Sequence, residues 1–296
     1  MFHFPIQYDE PLFRPPSEAY SFILQVTHGC SWNRCAFCEM YTMKQFRIRP
    51  FEEVQADIRK MQKHSGQIRK VFLADGNALM LPAERLSAIL DELNNTFPKI
   101  SRISAYAIAK DLKDKSVEEL KLLREKGLQL LYVGIESGDD EVLKAVNKGE
   151  NYESQKKALL KAKAAGLKLS VMILNGLGGK AFSKQHAIHS ARLCNEIQPE
   201  FLSTLVLSYP HGMEHFKKRF RDDFEPLSTI DLIEEMRLFI QNLELQHTIF
   251  RSDHASNYLI LKGTLNRDKE DFLQRIDEAL DQPDQAGLRE EWMRGL

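Results

Sequence analysis

The sequence predicts an α/β fold, and two observations carry that prediction. From Tyr20 onward, short apolar runs alternate with segments of helical period, the order expected when strands pair through crossover helices. Several runs, such as Val171-Met172-Ile173-Leu174, are continuously apolar, which suits parallel strands covered on both faces. Six strand–helix units fit either a doubly wound sheet or a barrel, and the pattern alone does not choose between them. Both place ligands at the carboxyl ends of the strands, so those positions carry the functional information.

The strand candidates, in order, are Phe22–Thr27, Lys70–Ala74, Arg102–Ala105, Leu128–Ile135, Lys168–Leu174 and Phe201–Leu207. Helical patterns fall at Phe51–His64, Ala83–Asn95, Val117–Glu125, Glu141–Val146, Tyr152–Ala165, Lys184–Glu196 and Thr229–Asn242. Leu86, Ile89, Leu90 and Leu93 stand at i, i+3, i+4 and i+7, an apolar stripe of helical period. Gly127 and Gly166 each close a helix and precede a strand, the place of a helix C-terminal glycine. The segment from Phe250 differs: a polar stretch, a helix near Lys269–Leu280, and a charged tail.

The 296 residues carry 41 lysines and arginines against 42 acids, a formal charge of −1. That balance argues against a broad nucleic-acid surface, which needs concentrated positive charge. No run reaches the length of a membrane span, and Met1–Pro16 has the pattern of neither a secretory nor a transit signal. The expected compartment is the cytoplasm.

Three of the four cysteines lie within nine residues, at Cys30, Cys35 and Cys38. A disulfide framework spreads its cysteines, whereas close spacing converges them on a metal. Three thiolates after a strand suit a cubane iron–sulfur cluster with one iron left open. A structural zinc site needs a fourth ligand, and His28, at a strand end two residues before Cys30, is poorly placed to supply it; incidental cysteines are the third option. Cys194, inside a helical pattern, reads as a buried structural thiol.

The loop Gly29-Cys30-Ser31-Trp32-Asn33-Arg34-Cys35-Ala36-Phe37-Cys38 resembles the cluster loop of the radical S-adenosylmethionine superfamily. Phe37 stands where that family has an aromatic residue before the last cysteine. Four residues separate Cys30 from Cys35, where the family usually has three. Further matches follow in order: Asp75-Gly76-Asn77-Ala78, Gly134-Ile135-Glu136-Ser137-Gly138 and Asn175-Gly176-Leu177-Gly178-Gly179. Tyr132 to Lys148 is similar to subgroups that include tRNA methylthiotransferases, the Elongator catalytic subunit and oxygen-independent coproporphyrinogen oxidase.

The resemblance implies a partial (β/α)6 TIM-like barrel over residues 20–245, with a lead at 1–19 and an extension at 246–296 over the barrel mouth. It implies a [4Fe–4S] cluster on Cys30, Cys35 and Cys38. S-adenosylmethionine would meet Phe37, then Asp75, Gly76 and Asn77 at its amino group, Glu136 and Ser137 at ribose and methionine, and Asn175 and Gly176 beside adenine. The implied reaction is reductive cleavage to a 5′-deoxyadenosyl radical, fed by an external flavodoxin or ferredoxin-like donor and acting on an unknown small molecule. The remaining cysteine count leaves no second four-cysteine cluster, which argues against a methylthiotransferase. A coproporphyrinogen-oxidase-like or haem-handling protein, and a non-catalytic iron–sulfur or zinc-binding interaction protein, are the rival readings. Taken by itself, Ser137 also fits a helix cap, and the glycines at 176–179 do not form a phosphate loop.

Within Arg251-Ser252-Asp253-His254-Ala255-Ser256-Asn257, Arg251 suits a carboxylate or phosphate clamp, His254 a proton carrier and Asn257 a polar contact. An ordinary surface loop explains the same run. His211, in a turn after the sixth strand, is a weaker candidate. Arg47 and Arg49, and the lysines at 156, 157, 161 and 163, read as solvated faces.

Overall fold

A computed structural model describes residues 5–220 and 223–294. In chain order its strands and α-helices are β1 (Phe22–Gln25), β2 (Thr27–His28), β3 (Arg47–Ile48), α1 (Phe51–Lys60), β4 (Lys70–Ala74), α2 (Ala83–Thr96), β5 (Arg102–Ala107), α3 (Ala109–Lys113), α4 (Val117–Glu125) and β6 (Leu128–Glu136). There follow α5 (Asp140–Ala145), α6 (Tyr152–Ala164), β7 (Lys168–Asn175), α7 (Gly179–Ile197), β8 (Phe201–Val206), α8 (Met213–Arg219), α9 (Thr229–Gln241), β9 (Thr248–Ser252), β10 (Leu261–Leu265) and α10 (Lys269–Asp281). The main sheet runs β1-β4-β5-β6-β7-β8-β9-β10. It is the mostly parallel, helix-flanked sheet of a partial TIM-like barrel, the fold class expected from the sequence.

Two compact units divide the chain, and β6, α6 and β7 have residues in both. The first holds residues up to 33, then 38–133 and 158–169. Its strands are parallel from β1 to β4, β5 and β6, with Phe22 opposite Val71 and Lys70 opposite Arg102. All four β1 residues are buried, as the continuous apolar run requires. The α2 stripe of Leu86, Ile89, Leu90 and Leu93 is wholly buried, so its period is the imprint of one face against the sheet. Ser116 caps α4 by accepting from the Glu119 N–H at 3.0 Å, while Glu119 accepts from the Ser116 N–H at 2.7 Å, which satisfies donors the first turn cannot pair.

Residues 34–37, 134–157 and those from 170 onward form the second unit. There β7, β8 and β9 are parallel and β10 closes the edge antiparallel to β9. Gly127 and Gly166 take φ of +102° and +80°, the left-handed turn expected after a helix.

Several expectations change. The first strand candidate divides, because Thr27 and His28 leave β1 to pair with β3 in a small second sheet. The polar run after Phe250 is not all loop: Arg251 and Ser252 complete β9, a further parallel strand whose buried Thr248, Phe250 and Ser252 alternate with outward residues. Arg49 is no solvated side chain, since its guanidinium donates to Asp57 at 2.9 Å and to the Gln25 carbonyl at 2.7 Å. Lys161 likewise leaves the solvent face, donating to the carbonyls of Leu112, Lys113 and Lys115, oxygens that the end of α3 leaves unpaired. No helix among the described residues is long and apolar enough to cross a membrane.

Candidate cofactor site

In the first unit, β4 ends against the start of the cysteine loop. Gly29, with φ of +70°, turns the chain out of β2, a conformation glycine adopts without steric cost. Asp75 is fully buried, and its oxygens are used inside the chain. Oδ2 accepts from the Gly29 N–H at 3.1 Å and from Lys44 Nζ at 3.0 Å, and Oδ1 accepts from the Gln25 amide at 3.1 Å. A buried carboxylate survives only with such partners. Asn77 holds the next residue but one of the loop: its oxygen accepts from the Ser31 N–H at 2.9 Å, and its nitrogen donates to Ser31 Oγ at 2.7 Å and to Asp111 at 2.9 Å. Between them, a Cβ on Gly76 would stand 2.8 Å from the Cys30 Cβ. The β4 turn therefore presses on the backbone of Cys30 and fixes Ser31.

Tyr41 lies in the same unit, buried, and its hydroxyl makes no hydrogen bond. Burial pushes its pKa far up, helped by negative charge at Asp75, Tyr106, Cys38 and Cys30, so the hydroxyl keeps its proton.

In the second unit, the middle of the cysteine loop is gripped by backbone contacts. The Ala36 N–H donates to the Val146 carbonyl at 2.8 Å, Asn147 donates to the Arg34 carbonyl at 3.1 Å, and Arg219 donates to the Cys35 carbonyl at 2.7 Å. Phe37 receives Lys148 over its ring at 5.6 Å.

Glu136 ends β6 with φ of +62°, strain that a non-glycine residue accepts only where its surroundings impose it. Its Oε1 lies 3.4 Å from Lys148 Nζ, while Oε2 is buried without a hydrogen bond. Burial raises the carboxyl pKa, and Lys148 pulls it partly back. Gly134 makes room: a Cβ there would overlap Glu136 Oε1. Ser137 is fully buried, 2.8 Å from His186 Nδ1, and accepts from the Asp139 N–H at 3.0 Å. The helix cap expected of Ser137 belongs instead to Asp139, which accepts from the Val142 N–H at 3.0 Å.

After β7, Gly176 takes φ of +81°, and its N–H donates to Glu235 at 2.6 Å. Asn175 is buried, its amide directed at the Met236 sulfur at 3.9 Å, and it borders a cavity of about 20 Å³ with Leu232, Ser252 and Asn257.

Arg251 and His254 take no part in these contacts. Arg251 lies on the exposed side of β9, bonded to the Phe250 carbonyl at 2.9 Å. His254 Nδ1 lies 2.9 Å from Ser256 Oγ, and Arg289 ties the loop through the His254 and Asn257 carbonyls. Asn257 donates to the Thr204 carbonyl at 2.8 Å, and its Oδ1 is buried without a hydrogen bond among the described residues. Cys194 is buried, which pushes its thiol pKa up, in keeping with a packing role.

None of the four cysteines is in a disulfide, and Cys30, Cys35 and Cys38 are all partly exposed. Among the described residues, no group of three or more His, Cys, Asp or Glu side chains is assembled to hold a metal ion. Sequence reasoning missed Lys44, Asp111, Lys148, His186 and Glu235, the partners that fix the turns. Lys148 lay within a stretch singled out by resemblance; the others are single polar residues without a spacing signal.

A strand-end cysteine loop on a partial TIM-like barrel defines a class of cofactor-binding proteins, and comparison with known families makes it specific. Residues 24–191, more than half of the chain, match the model of the Radical SAM superfamily, and the chain belongs to that superfamily. It is similar to the heme chaperone HemW of Bacillus subtilis (strain 168), 24% identical over 189 residues, covering 63% of this chain and 48% of that protein. It is also similar to the 4′-phospho-dehydrooxetanocin synthase of Priestia megaterium, 27% identical over 165 residues, covering 50% of this chain and 22% of the synthase. The chain thus spans less than half the length of these curated relatives. Among solved structures, coproporphyrinogen III oxidase (HemN) from Escherichia coli aligns with a TM-score of 0.55 at 16% identity, covering 75% of this chain and 52% of that one. Methylornithine synthase (PylB) aligns at 0.51 and 19% identity, covering 76% and 63%. At these identities the likeness is one of fold.

Family membership and the cysteine spacing support a [4Fe–4S] cluster and S-adenosylmethionine as the cofactors. The residues fit that pair. Three thiols stand free of disulfides, and Glu136 keeps a buried acceptor oxygen unpaired, which a ligand ammonium or hydroxyl would satisfy.

Proposed function

We propose that this chain is a radical enzyme that reductively cleaves S-adenosylmethionine at a [4Fe–4S] cluster held by Cys30, Cys35 and Cys38. The observation that carries the reading is the Radical SAM match over residues 24–191, which contains the whole cysteine loop. Cys30, Cys35 and Cys38 would hold the cluster, which when reduced would supply the electron for cleavage of a carbon–sulfur bond of S-adenosylmethionine to methionine and a 5′-deoxyadenosyl radical able to take hydrogen from a substrate.

The chain's own residues position and shield. Asp75 and Asn77 hold the Cys30–Ser31 backbone, and Gly76 lets the β4 turn approach it. Arg219, Asn147 and Val146 fix the backbone at residues 34–36. Glu136 offers its free oxygen to a donor group of the cofactor, Ser137 its hydroxyl oxygen, and Asn175 and Gly176 a close backbone approach. The substrate is a small molecule, the electron donor a flavodoxin or ferredoxin-like protein, and the setting the cytoplasm. Arg251 and His254 stand as substrate contacts of the C-terminal segment.

Anaerobic reconstitution with S-adenosylmethionine and dithionite tests the reading, with methionine and 5′-deoxyadenosine as the expected products. Alanine at Cys30, Cys35 or Cys38 should abolish both the cluster absorbance and the products, whereas Cys194→Ala should keep both. Zinc as the only bound metal, or no reductant-dependent product, overturns the assignment.

The similarity to a heme chaperone over 63% of the chain favours one second reading, a haem-handling protein on the same scaffold. A tetrapyrrole absorption change on haem titration, without turnover of S-adenosylmethionine, would select it.

A further inference from the structure

The middle of α7 carries a group of polar residues on one side. Its residues Gln185, His186, His189 and Ser190 all reach the turn that follows β6. Gln185 donates to Asp139 Oδ1 at 3.1 Å, His189 Nδ1 lies 2.7 Å from Asp139 Oδ2, and Ser190 Oγ accepts from the Gly138 N–H at 2.9 Å. Gly138 permits this approach, since a Cβ there would overlap the His189 carbonyl. His186 is 1% exposed, with Nδ1 at 2.8 Å from Ser137 Oγ.

On its other side, His186 Nε2 faces Glu235 Oε1 at 3.9 Å. Glu235, on α9 and 4% exposed, accepts twice: from the Gly176 N–H and from the Ser183 hydroxyl, each at 2.6 Å. His186 also hydrogen-bonds the Leu174 backbone; with Nδ1 facing Ser137, that bond and the carboxylate facing Nε2 together favour the imidazole proton on Nε2. Burial lowers the His186 pKa, so the ring is neutral and Nδ1 is bare. The Ser137 hydroxyl must then donate to Nδ1. It already accepts from the Asp139 N–H, and what remains on its oxygen is a single acceptor site.

We propose that His186 and Glu235 are positioning residues for the cofactor. Glu235 fixes the Gly176 turn, and His186 fixes the Ser137 hydroxyl and with it the backbone beside Glu136. Ser137 itself is fully buried, so a ligand donor, an ammonium or a ribose hydroxyl, is met by the neighbouring Glu136 Oε2 that this turn holds in place. Two cofactor turns separated by 38 positions in sequence, at 137–138 and 175–176, are thereby held by one buried polar chain. The inference rests on the proposed S-adenosylmethionine chemistry.

The test measures the dissociation constant of S-adenosylmethionine on reconstituted protein with the cluster left oxidised, alongside iron and sulfide content and thermal melting. His186→Ala and Glu235→Ala should weaken binding about tenfold or more at wild-type cluster content. His186→Asn, which returns an acceptor to the Nδ1 position, and Glu235→Gln, which can still accept from Gly176, should restore near-wild-type affinity. Should the alanine variants not fold, His186→Gln decides, because it keeps the bulk and withdraws the acceptor from Ser137. Weak binding in that variant supports the proposal, and wild-type binding overturns it. Equal affinity in wild type and alanine variants, or no recovery in the conservative ones, also overturns it. Wild-type protein that carries the cluster yet binds no S-adenosylmethionine sinks the functional reading itself, a separate outcome.

Discussion

The turns after β4 and β6 both end buried strands with an acid, yet the two acids are treated in opposite ways. Asp75 accepts three hydrogen bonds, from Gln25, Gly29 and Lys44, with both oxygens engaged. Glu136 has one cation at 3.4 Å and one buried oxygen with no partner. An unpaired buried acceptor costs about 1–3 kcal/mol, so a donor arriving at Glu136 Oε2 would be stabilising. The β4 turn is thus braced against the cysteine loop, while the β6 turn keeps one acceptor oxygen without a partner among the described residues.

The contrast breaks most sharply at Asp75. Replacing it with alanine leaves buried Lys44 with Asp9, whose carboxylate lies 3.6 Å away and whose carbonyl accepts from it, and removing one partner of a buried pair costs up to about 3–5 kcal/mol. Denaturant unfolding of the metal-free protein should register that loss, whereas Glu136→Gln should not destabilise the fold. Equal losses at both positions would erase the distinction.

A second pair sharpens it through added methyl groups. Gly76→Ala meets the Cys30 Cβ at 2.8 Å, so the variant should fail to keep its cluster, read as lost iron and visible absorbance. Gly134→Ala displaces the Glu136 carboxylate instead, so it should keep the cluster and lose affinity for S-adenosylmethionine.

A smaller effect concerns pH. The Glu136 pKa is raised by burial above its ordinary 4.5, so the folded state holds that proton more tightly than the unfolded state. The associated stability is complete below about 4.5 and is lost as pH rises through the folded value. Glu136→Gln removes that loss. The variant should gain stability relative to wild type above pH 4.5, with the gap closing in acid, as followed by unfolding at a series of pH values.

The smallest change is expected at Arg251 and His254. Their hydrogen bonds stay in the C-terminal segment, so alanine at either position should leave substrate-free cleavage of S-adenosylmethionine near wild type. Measured product formation that falls with the cysteine variants would move them into the cofactor site.

Much of this was legible in the sequence for physical reasons. The α2 stripe, the glycines at 127 and 166 and the cysteine loop are local signals, each fixed by helical period, a backbone conformation or ligand spacing. The strand β9 was hidden because only alternate residues of Thr248–Ser252 are buried and the dense polar run begins inside it. Arg49 and Lys161 misled because charge patterning cannot tell a solvated cation from one that closes carbonyls elsewhere in the chain. His186 and Glu235 carry no motif. Their meaning arises only when α7 and α9 bring them to turns 49 and 59 residues earlier.

The most direct measurement of the central claim is electron paramagnetic resonance of the anaerobically reconstituted, dithionite-reduced protein with and without S-adenosylmethionine. Iron and sulfide should match one [4Fe–4S] cluster per chain, and the reduced-cluster signal should change when S-adenosylmethionine is added. A protein that binds only zinc, or a cluster signal indifferent to S-adenosylmethionine, would contradict that claim.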